Sequence, residues 1–265
     1  MPDILDELIN YLINYLLNEM PEYRESLESC ESVSDRKILL RGLMNVRLPK
    51  PLDEKFLELQ DEYLQSEILA KGIVDVNQIP EIAPKISLWQ GDITRLNADA
   101  IVNAANSKLL GCFVPGHNCI DNAIHSAAGL QLRDECNRLM LEQAYPEPVG
   151  RAKITKAYNL PSKFVLHTVG PTVRGNLTRK NCDDLKSCYE SCLELAEKNN
   201  LHSIAFCCIS TGVFGFPNRE AAEIAVKTVR NFLYNSVNIN RVIFNVFKDF
   251  DREIYENILR RTFEV

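Results

Sequence analysis

Two thiols and one imidazole stand close together in the stretch GCFVPGHNC, residues 111–119. Cys112, His117 and Cys119 follow the spacing C-x4-H-x-C. Zinc takes thiolate and imidazole ligands, and three protein ligands leave a fourth position open for water or substrate. The spacing differs from that of a zinc finger, so the pattern supports two interpretations equally: a metal site, or a loop lined with cysteines.

Polar side chains flank this loop on both sides. Asn103 and Asn106 precede it, and Asp121 and His125 follow it on a segment with a helical pattern. Four residues separate Asp121 from His125, so the two share a helix face. Asp121 either stabilises the helix N-terminus or orients a water molecule or a ribose hydroxyl. We expect His125 to be a core histidine whose ring nitrogens have backbone partners, rather than a metal ligand.

Two other loops follow apolar segments and contain residues suited to ligand binding. In QGDIT, residues 90–94, Asp92 either accepts a hydrogen bond from a ligand amine or hydroxyl, or caps a turn. In STGVFGFP, residues 210–217, Gly212 and Gly215 allow the backbone to approach a ligand, and successive N–H groups could bind phosphate. The alternative for that loop is a glycine turn with Phe214 and Phe216 packed into the core.

Short apolar segments alternate with helical patterns from Lys85 onward. We predict strands at residues 86–89, 100–102, 152–157, 164–169, 203–209 and 241–246. We predict one helix from 119 or 120 that breaks at Gly129 and a second that follows it to about 143. Further helices are predicted at 183–198, at 218–234 with Asn218 as its N-cap, and at 250–261. This alternation is typical of a three-layer α/β fold with a largely buried sheet, in which ligands sit beyond the carboxyl ends of the strands.

Residues 1–80 are predicted to form a helical extension packed on the main domain, residues 81–265. Apolar residues recur at helical spacing between Ile4 and Leu17, and further helices are predicted at 35–46 and 53–71, the last stopped by Gly72. The segment 73–85 contains two prolines and no helical period, which favours a connector.

Composition excludes several classes of protein. The 265 residues are 46% hydrophobic and 25% charged, as in a globular protein, and the net charge of −6 disfavours non-specific binding of nucleic acid. The sequence contains no apolar run of about 18 residues, so no membrane span is predicted. Nine cysteines without an export signal predict a reducing, cytoplasmic compartment. The core is expected to bury Cys188, Cys192, Cys207 and Cys208.

Together, four motifs make residues 85–265 resemble a macrodomain, an ADP-ribose-binding α/β/α module with a mixed central sheet. The motifs are QGDIT at 90–94, IVNAAN at 101–106, IDNAIHSAAG at 120–129 and ISTGVFGFP at 209–217. Hydrolytic macrodomains of the MacroD type have a glycine-rich run where this chain has GCFVPGHNC. The chain is therefore most similar to the zinc-dependent subclass, which also carries a helical N-terminal extension.

The resemblance implies a role for each motif. Asp92 would bind the adenine amino group, with Ile93 nearby, while Asn103 and Asn106 would face the distal ribose, Asn106 more directly. Asn106 and Asp121 are the implied catalytic residues, and one zinc ion would be held by Cys112, His117 and Cys119. The diphosphate would lie against the backbone of Ser210, Thr211, Gly212, Val213, Phe214, Gly215 and Phe216.

The implied activity is hydrolysis of mono-ADP-ribose from modified protein side chains. In several bacteria such proteins are encoded beside an M-class sirtuin that ADP-ribosylates a lipoyl-carrier protein, and the macrodomain reverses that mark. Two alternatives use the same pocket: a non-catalytic reader of ADP-ribosylated proteins, and a deacetylase of O-acetyl-ADP-ribose.

Overall fold

A seven-stranded mixed sheet forms the centre of the computed structural model, which describes residues 4–264. Its strands are β2 (Glu81–Ala83), β3 (Ile86–Gln90), β5 (Ala100–Ala105), β6 (Ala152–Lys156), β7 (Phe164–Val169), β8 (Ser203–Phe206) and β9 (Arg241–Val246). The order is β2-β3-β9-β8-β5-β7-β6, parallel in the middle and antiparallel at both edges. Two shorter strands, β1 (Val74–Asp75) and β4 (Leu96–Asn97), pair with each other.

Helices flank this sheet and bury it. They are α5 (Ile120–Ala128), α6 (Leu130–Gln143), α7 (Arg179–Lys198), α8 (Asn218–Leu233) and α9 (Asp249–Phe263). Because both faces are covered, the parallel strands are continuous apolar runs, and β5 and β8 are almost wholly buried. The predicted α/β fold is confirmed.

Four helices precede the sheet: α1 (Ile4–Glu19), α2 (Arg24–Glu28), α3 (Val33–Val46) and α4 (Glu54–Lys71). Their apolar faces form a second core cluster, which Leu130 of α6 joins, so the extension packs on the sheet-containing part of the chain. The predicted apolar stripe of α1 is buried from Leu8 to Leu17, as expected, and the side chain of Ile4 lies outside the described residues. Gly72 ends α4 with a φ of 79°, a left-handed conformation that glycine adopts without strain. No helix in residues 4–264 has the length and apolarity needed to cross a membrane.

Several local predictions were wrong for identifiable reasons. The segment 73–85 contributes β1 and the edge strand β2 instead of a plain connector. Asn218 does not cap α8; Pro217 occupies that position, and the Asn218 amide donates to Asp251 instead. The helix predicted from residue 183 begins at Arg179 because Thr178 and Asn181 form a capping box before it. Strand β8 ends at Phe206, three residues earlier than predicted.

Candidate functional site

The carboxyl ends of β3, β5, β8 and β9 open into one cleft of about 1390 Å³. The loops that follow these parallel strands line it, as expected for an open α/β sheet. Three of the predicted loops meet here: the QGDIT loop, the GCFVPGHNC loop at residues 111–119, which we call the metal loop, and the loop that begins at Ser210. Helices α3 and α4 of the extension form a further wall of the same cleft.

The three predicted metal ligands meet in space. Sγ of Cys112 lies 3.4 Å from Nδ1 of His117, and the ligand atoms of both residues and of Cys119 lie within 4.8 Å of one another. Around a tetrahedral zinc, ligand atoms at about 2.0–2.3 Å from the metal are separated by roughly 3.5 Å. All three residues are half-buried. The donor set and its spacing therefore fit a zinc ion with room for a further ligand.

Local chemistry explains how Cys119 is placed. It is the N-cap residue of α5, and its Sγ accepts a hydrogen bond from the backbone N–H of Asn122 at 3.4 Å. Burial raises the pKa of the Cys119 thiol to about 11. A divalent cation binding here would have to displace the thiol proton.

Asp121 is held by two asparagine amides beside the metal loop. Asn103 donates to its Oδ1 at 2.8 Å, and Asn106 donates to its Oδ2 at 3.2 Å. Burial raises the pKa of Asp121 to about 6, although the donor from Asn103 opposes that shift. Asn106 and Asp121 line the cleft as expected, whereas Asn103 is fully buried and lies behind Asp121. Asn103 was expected to face the distal ribose, but its side chain does not line the cleft, because its Nδ2 donates to Asp121 in the core.

His125 is a core residue, as expected, but its ring is not satisfied. Neither ring nitrogen has a hydrogen-bond partner among residues 4–264, and the nearest carboxylate oxygen, Oδ1 of Asp121, is 3.6 Å from Nε2. Burial lowers the pKa of His125 well below its usual value. The ring is therefore neutral and packs beneath Gly111, whose position leaves no room for a Cβ.

A second group of potential ligands, His125, Cys136 and His167, lies in the core. The two ring nitrogens of His167 already have neutral partners, Asn103 Nδ2 at 3.2 Å and Thr155 Oγ1 at 2.9 Å. Burial lowers the pKa of His167 to about 3. We therefore interpret this group as core packing that supports Asn103 from behind.

The structure confirms that Asp92 caps a turn, and its side chain also lines the cleft. Its Oδ1 caps a 3-10 turn by accepting from the backbone N–H and the hydroxyl of Thr94, at 3.0 and 2.6 Å. Its Oδ2 lies 3.6 Å from Nζ of Lys71 on α4 and faces the cleft wall. The side chain of Ile93 is buried next to it. One oxygen thus keeps the loop in shape while the other pairs with Lys71 at the wall of the cleft, and ligand binding by Asp92 stays a prediction.

Only the first half of the Ser210–Pro217 loop reaches the cleft. Residues 210–214 line it, but the N–H groups of Gly215 and Phe216 already donate to the carbonyls of Gly212 and Ser210 at 3.0 Å each. The Phe216 side chain is buried in the core. Gly215 and Phe216 were expected to bind ligand and do not line the cleft, because internal hydrogen bonds and core packing engage them.

Sequence reasoning missed residues on β9 and in the extension. Phe247 directly follows β9, is 75% exposed and lines the cleft, so the strand-end rule could have found it. Asn245 donates to the carbonyl of Gly91 at 2.9 Å and anchors the QGDIT loop. Cys208, expected in the core, is half-buried at the cleft. Arg41 and Met44 of α3 also line it, and no local sequence signal marks them.

Comparisons with known proteins identify relatives of this arrangement. Residues 102–225 match the Macro domain family. A Treponema medium protein named protein-ADP-ribose hydrolase is 48% identical over 245 residues, covering 91% of this chain and 94% of that protein. A Staphylococcus aureus protein of the same name is 47% identical, covering 88% of each. A solved Oceanobacillus iheyensis macrodomain variant with ADPR is 36% identical with a TM-score of 0.63, covering 70% of this chain and 97% of that one.

Proposed function

This chain belongs to the macrodomain family, and we propose that it is a zinc-dependent hydrolase that removes mono-ADP-ribose from modified protein side chains. The observation that carries this proposal is that the ligand set Cys112, His117 and Cys119 and the Asn106–Asp121 pair line one cleft. Asn106 links the two groups, because its amide also donates to the carbonyl of Gly111, next to Cys112. A metal-ligand set beside a buried carboxylate is an arrangement for chemistry, beyond what binding alone needs. The names of the Treponema and Staphylococcus relatives support a hydrolase.

The ligand would lie across the strand ends, with its adenine at Asp92. Oδ2 of Asp92, the oxygen that does not cap the turn, would accept from the adenine amino group, and Phe247 offers an exposed aromatic face in the same cleft. The diphosphate would lie against the backbone at residues 210–214, where Gly212 allows close approach. The distal ribose would then reach Asn106 and Asp121 beside the metal loop.

Hydrolysis adds water across the bond between C1 of the distal ribose and the modified side chain. The hydroxyl goes to C1, and the proton goes to the departing side-chain atom. When bound, zinc supplies Lewis acidity toward a ribose hydroxyl or water. Asn106 and Asp121 hold the ribose and the water in line, and Asn103 with His167 keeps the Asp121 carboxylate in place from behind.

The proposed biological role is reversal of sirtuin-type ADP-ribosylation, with a lipoyl-carrier protein as one substrate. Its support is the sequence GCFVPGHNC together with the helical extension, the two features that the zinc-dependent subclass combines. We place the protein in the cytoplasm, because Cys112 and Cys119 must stay reduced to bind metal.

An assay of a mono-ADP-ribosylated protein distinguishes hydrolase from reader. The proposal predicts free ADP-ribose in solution and an unmodified target, both measured by mass spectrometry. Retention of the mark while the two proteins bind each other would identify a reader instead. Turnover of O-acetyl-ADP-ribose under the same conditions, with no release from protein, would favour the deacetylase.

A further inference from the structure

Asn45, near the end of α3, contacts the loop that carries the proposed metal ligands although it lies far from that loop in sequence. The side chain is 1% exposed. Its Oδ1 accepts hydrogen bonds from the backbone N–H of Gly116 and from Nδ2 of Asn122, each at 3.0 Å. Its Nδ2 donates to Oγ of Ser126 at 2.9 Å. One buried amide of the extension thus binds both the metal loop and α5.

Asn122 continues this network into the loop. It is fully buried, and its Nδ2 donates to the carbonyl of Val114 at 3.0 Å as well as to Asn45. Its Oδ1 accepts from Arg41 of α3 at 2.8 Å, and its backbone N–H donates to Sγ of Cys119. The two asparagines therefore hold the middle of the loop and one of its ligands.

The loop itself has little regular structure to hold the ligands in place. Residues 112–118 form turns and coil, with one internal backbone hydrogen bond from the N–H of His117 to the carbonyl of Val114 at 3.2 Å. Pro115 packs against α3 at Gly42: its Cβ lies 3.6 Å from the position that a Cβ on Gly42 would occupy. The extension is thus the surface on which this loop is ordered.

We infer that Asn45 is a positioning residue for the metal centre: with Asn122 it preorganises the Cys112–Cys119 loop, so that α3 is part of the zinc site. This inference rests on the proposed zinc binding. A loop held in its ligating shape loses less conformational entropy on binding the ion, so its affinity is higher. Partners outside the ligand shell typically change metal affinity by about 10–100-fold.

The test measures the zinc dissociation constant by competition with a chromogenic chelator. Asn45→Ala should weaken zinc binding by about 10–100-fold and leave the dissociation constant of ADP-ribose unchanged. Asn45→Asp should restore much of the zinc affinity. Its carboxylate can still accept from Gly116 and Asn122, while the Ser126 hydroxyl turns to donate.

Gln60→Ala is the matched control. Gln60 is an equally buried amide of the extension, but it binds the start of α6 instead of the metal loop or α5, accepting from the N–H of Leu130 and donating to Oε1 of Gln131. Its replacement should lower the unfolding temperature of the metal-free protein without changing zinc affinity.

Each outcome decides a different point. Zinc affinity lost in Asn45→Ala, kept in Gln60→Ala and regained in Asn45→Asp supports the inference. Wild-type affinity in Asn45→Ala, or equal losses in both alanine variants, overturns it while the proposed zinc site stands. Wild-type protein that binds no zinc overturns the zinc site itself, and this inference with it.

Discussion

The side-chain amide of Asn106 donates both to Oδ2 of Asp121, at 3.2 Å, and to the carbonyl of Gly111, at 3.0 Å. Gly111 directly precedes Cys112, so a single amide joins the strand end, the carboxylate and the start of the metal loop. This arrangement links the proposed ribose-positioning pair to the start of the loop that carries the proposed zinc ligands. Changes to either part should therefore affect chemistry more than ligand binding.

Replacement of Asp121 by asparagine tests the carboxylate. The side chain keeps its volume but loses its charge and one acceptor for the amides of Asn103 and Asn106. We expect turnover to fall by about 100-fold or more, the scale of a misaligned reacting group. Calorimetry should give an ADP-ribose affinity close to that of the wild type. Wild-type turnover would remove Asp121 from the mechanism.

Cys112→Ala tests the metal loop. The variant should lose zinc and turnover, because two remaining protein ligands make a weak zinc site. It should still bind ADP-ribose, since Asp92 and residues 210–214 are untouched. Metal analysis and calorimetry on the same preparation check both points. A folded variant that no longer binds ADP-ribose would contradict this division of roles.

Asp92→Asn separates the two tasks of that side chain. The amide oxygen can still cap the turn at Thr94, whereas the NH2 group that replaces the other oxygen cannot accept from adenine. We expect ADP-ribose to bind about 10–100-fold more weakly, as for a lost hydrogen bond to a charged group. The unfolding temperature should change little. Unchanged affinity would show that adenine is bound elsewhere.

Sequence patterns predicted the main strands and their alternation with helices along the chain. The strands were recognisable because burial on both faces makes parallel strands continuous apolar runs. The wrong predictions concern places where tertiary contacts determine the local structure. Strand β2 is short and stays in the sheet through its pairing with β3, and Asn218 is drawn from the capping position by Asp251. Neither contact has a local signal in the sequence.

The sequence predicted which strand-end loops form the site, but it did not predict which residues lie buried behind the cleft surface. Residue types marked Cys112, Asp121 and Asp92, but type alone could not tell that Asn103 lies behind Asp121. Asn45 carried no signal either, because its importance comes from the docking of α3 against a loop distant in sequence.

Buried histidine should make the fold sensitive to acid. The pKa of His167 is about 3 in the folded protein and about 6.5 when unfolded. Below pH 6.5 the unfolded state therefore binds a proton that the folded state excludes. The stability from neutral His167 is complete above pH 6.5 and is lost as pH falls toward 3, by about 1.4 kcal/mol per pH unit.

Denaturant unfolding between pH 7 and pH 4.5 measures this dependence. His167→Gln should be less stable at pH 7, because Asn103 and Thr155 lose a partner, but its stability should fall less steeply with acid. Parallel curves for variant and wild type would contradict a neutral His167. Both curves should retain the slope that His125 contributes, because burial also lowers the pKa of that ring well below its usual value.

The most direct test of the account is turnover of a mono-ADP-ribosylated protein by enzyme stripped with a chelator and then reloaded. We predict that stripped protein releases no ADP-ribose, that close to one zinc per chain restores release, and that Cys112→Ala is not restored. Protein purified without added zinc should contain the metal. Full turnover by stripped protein holding less than about 0.2 zinc per chain would contradict the zinc-dependent mechanism, since a tight site retains its ion.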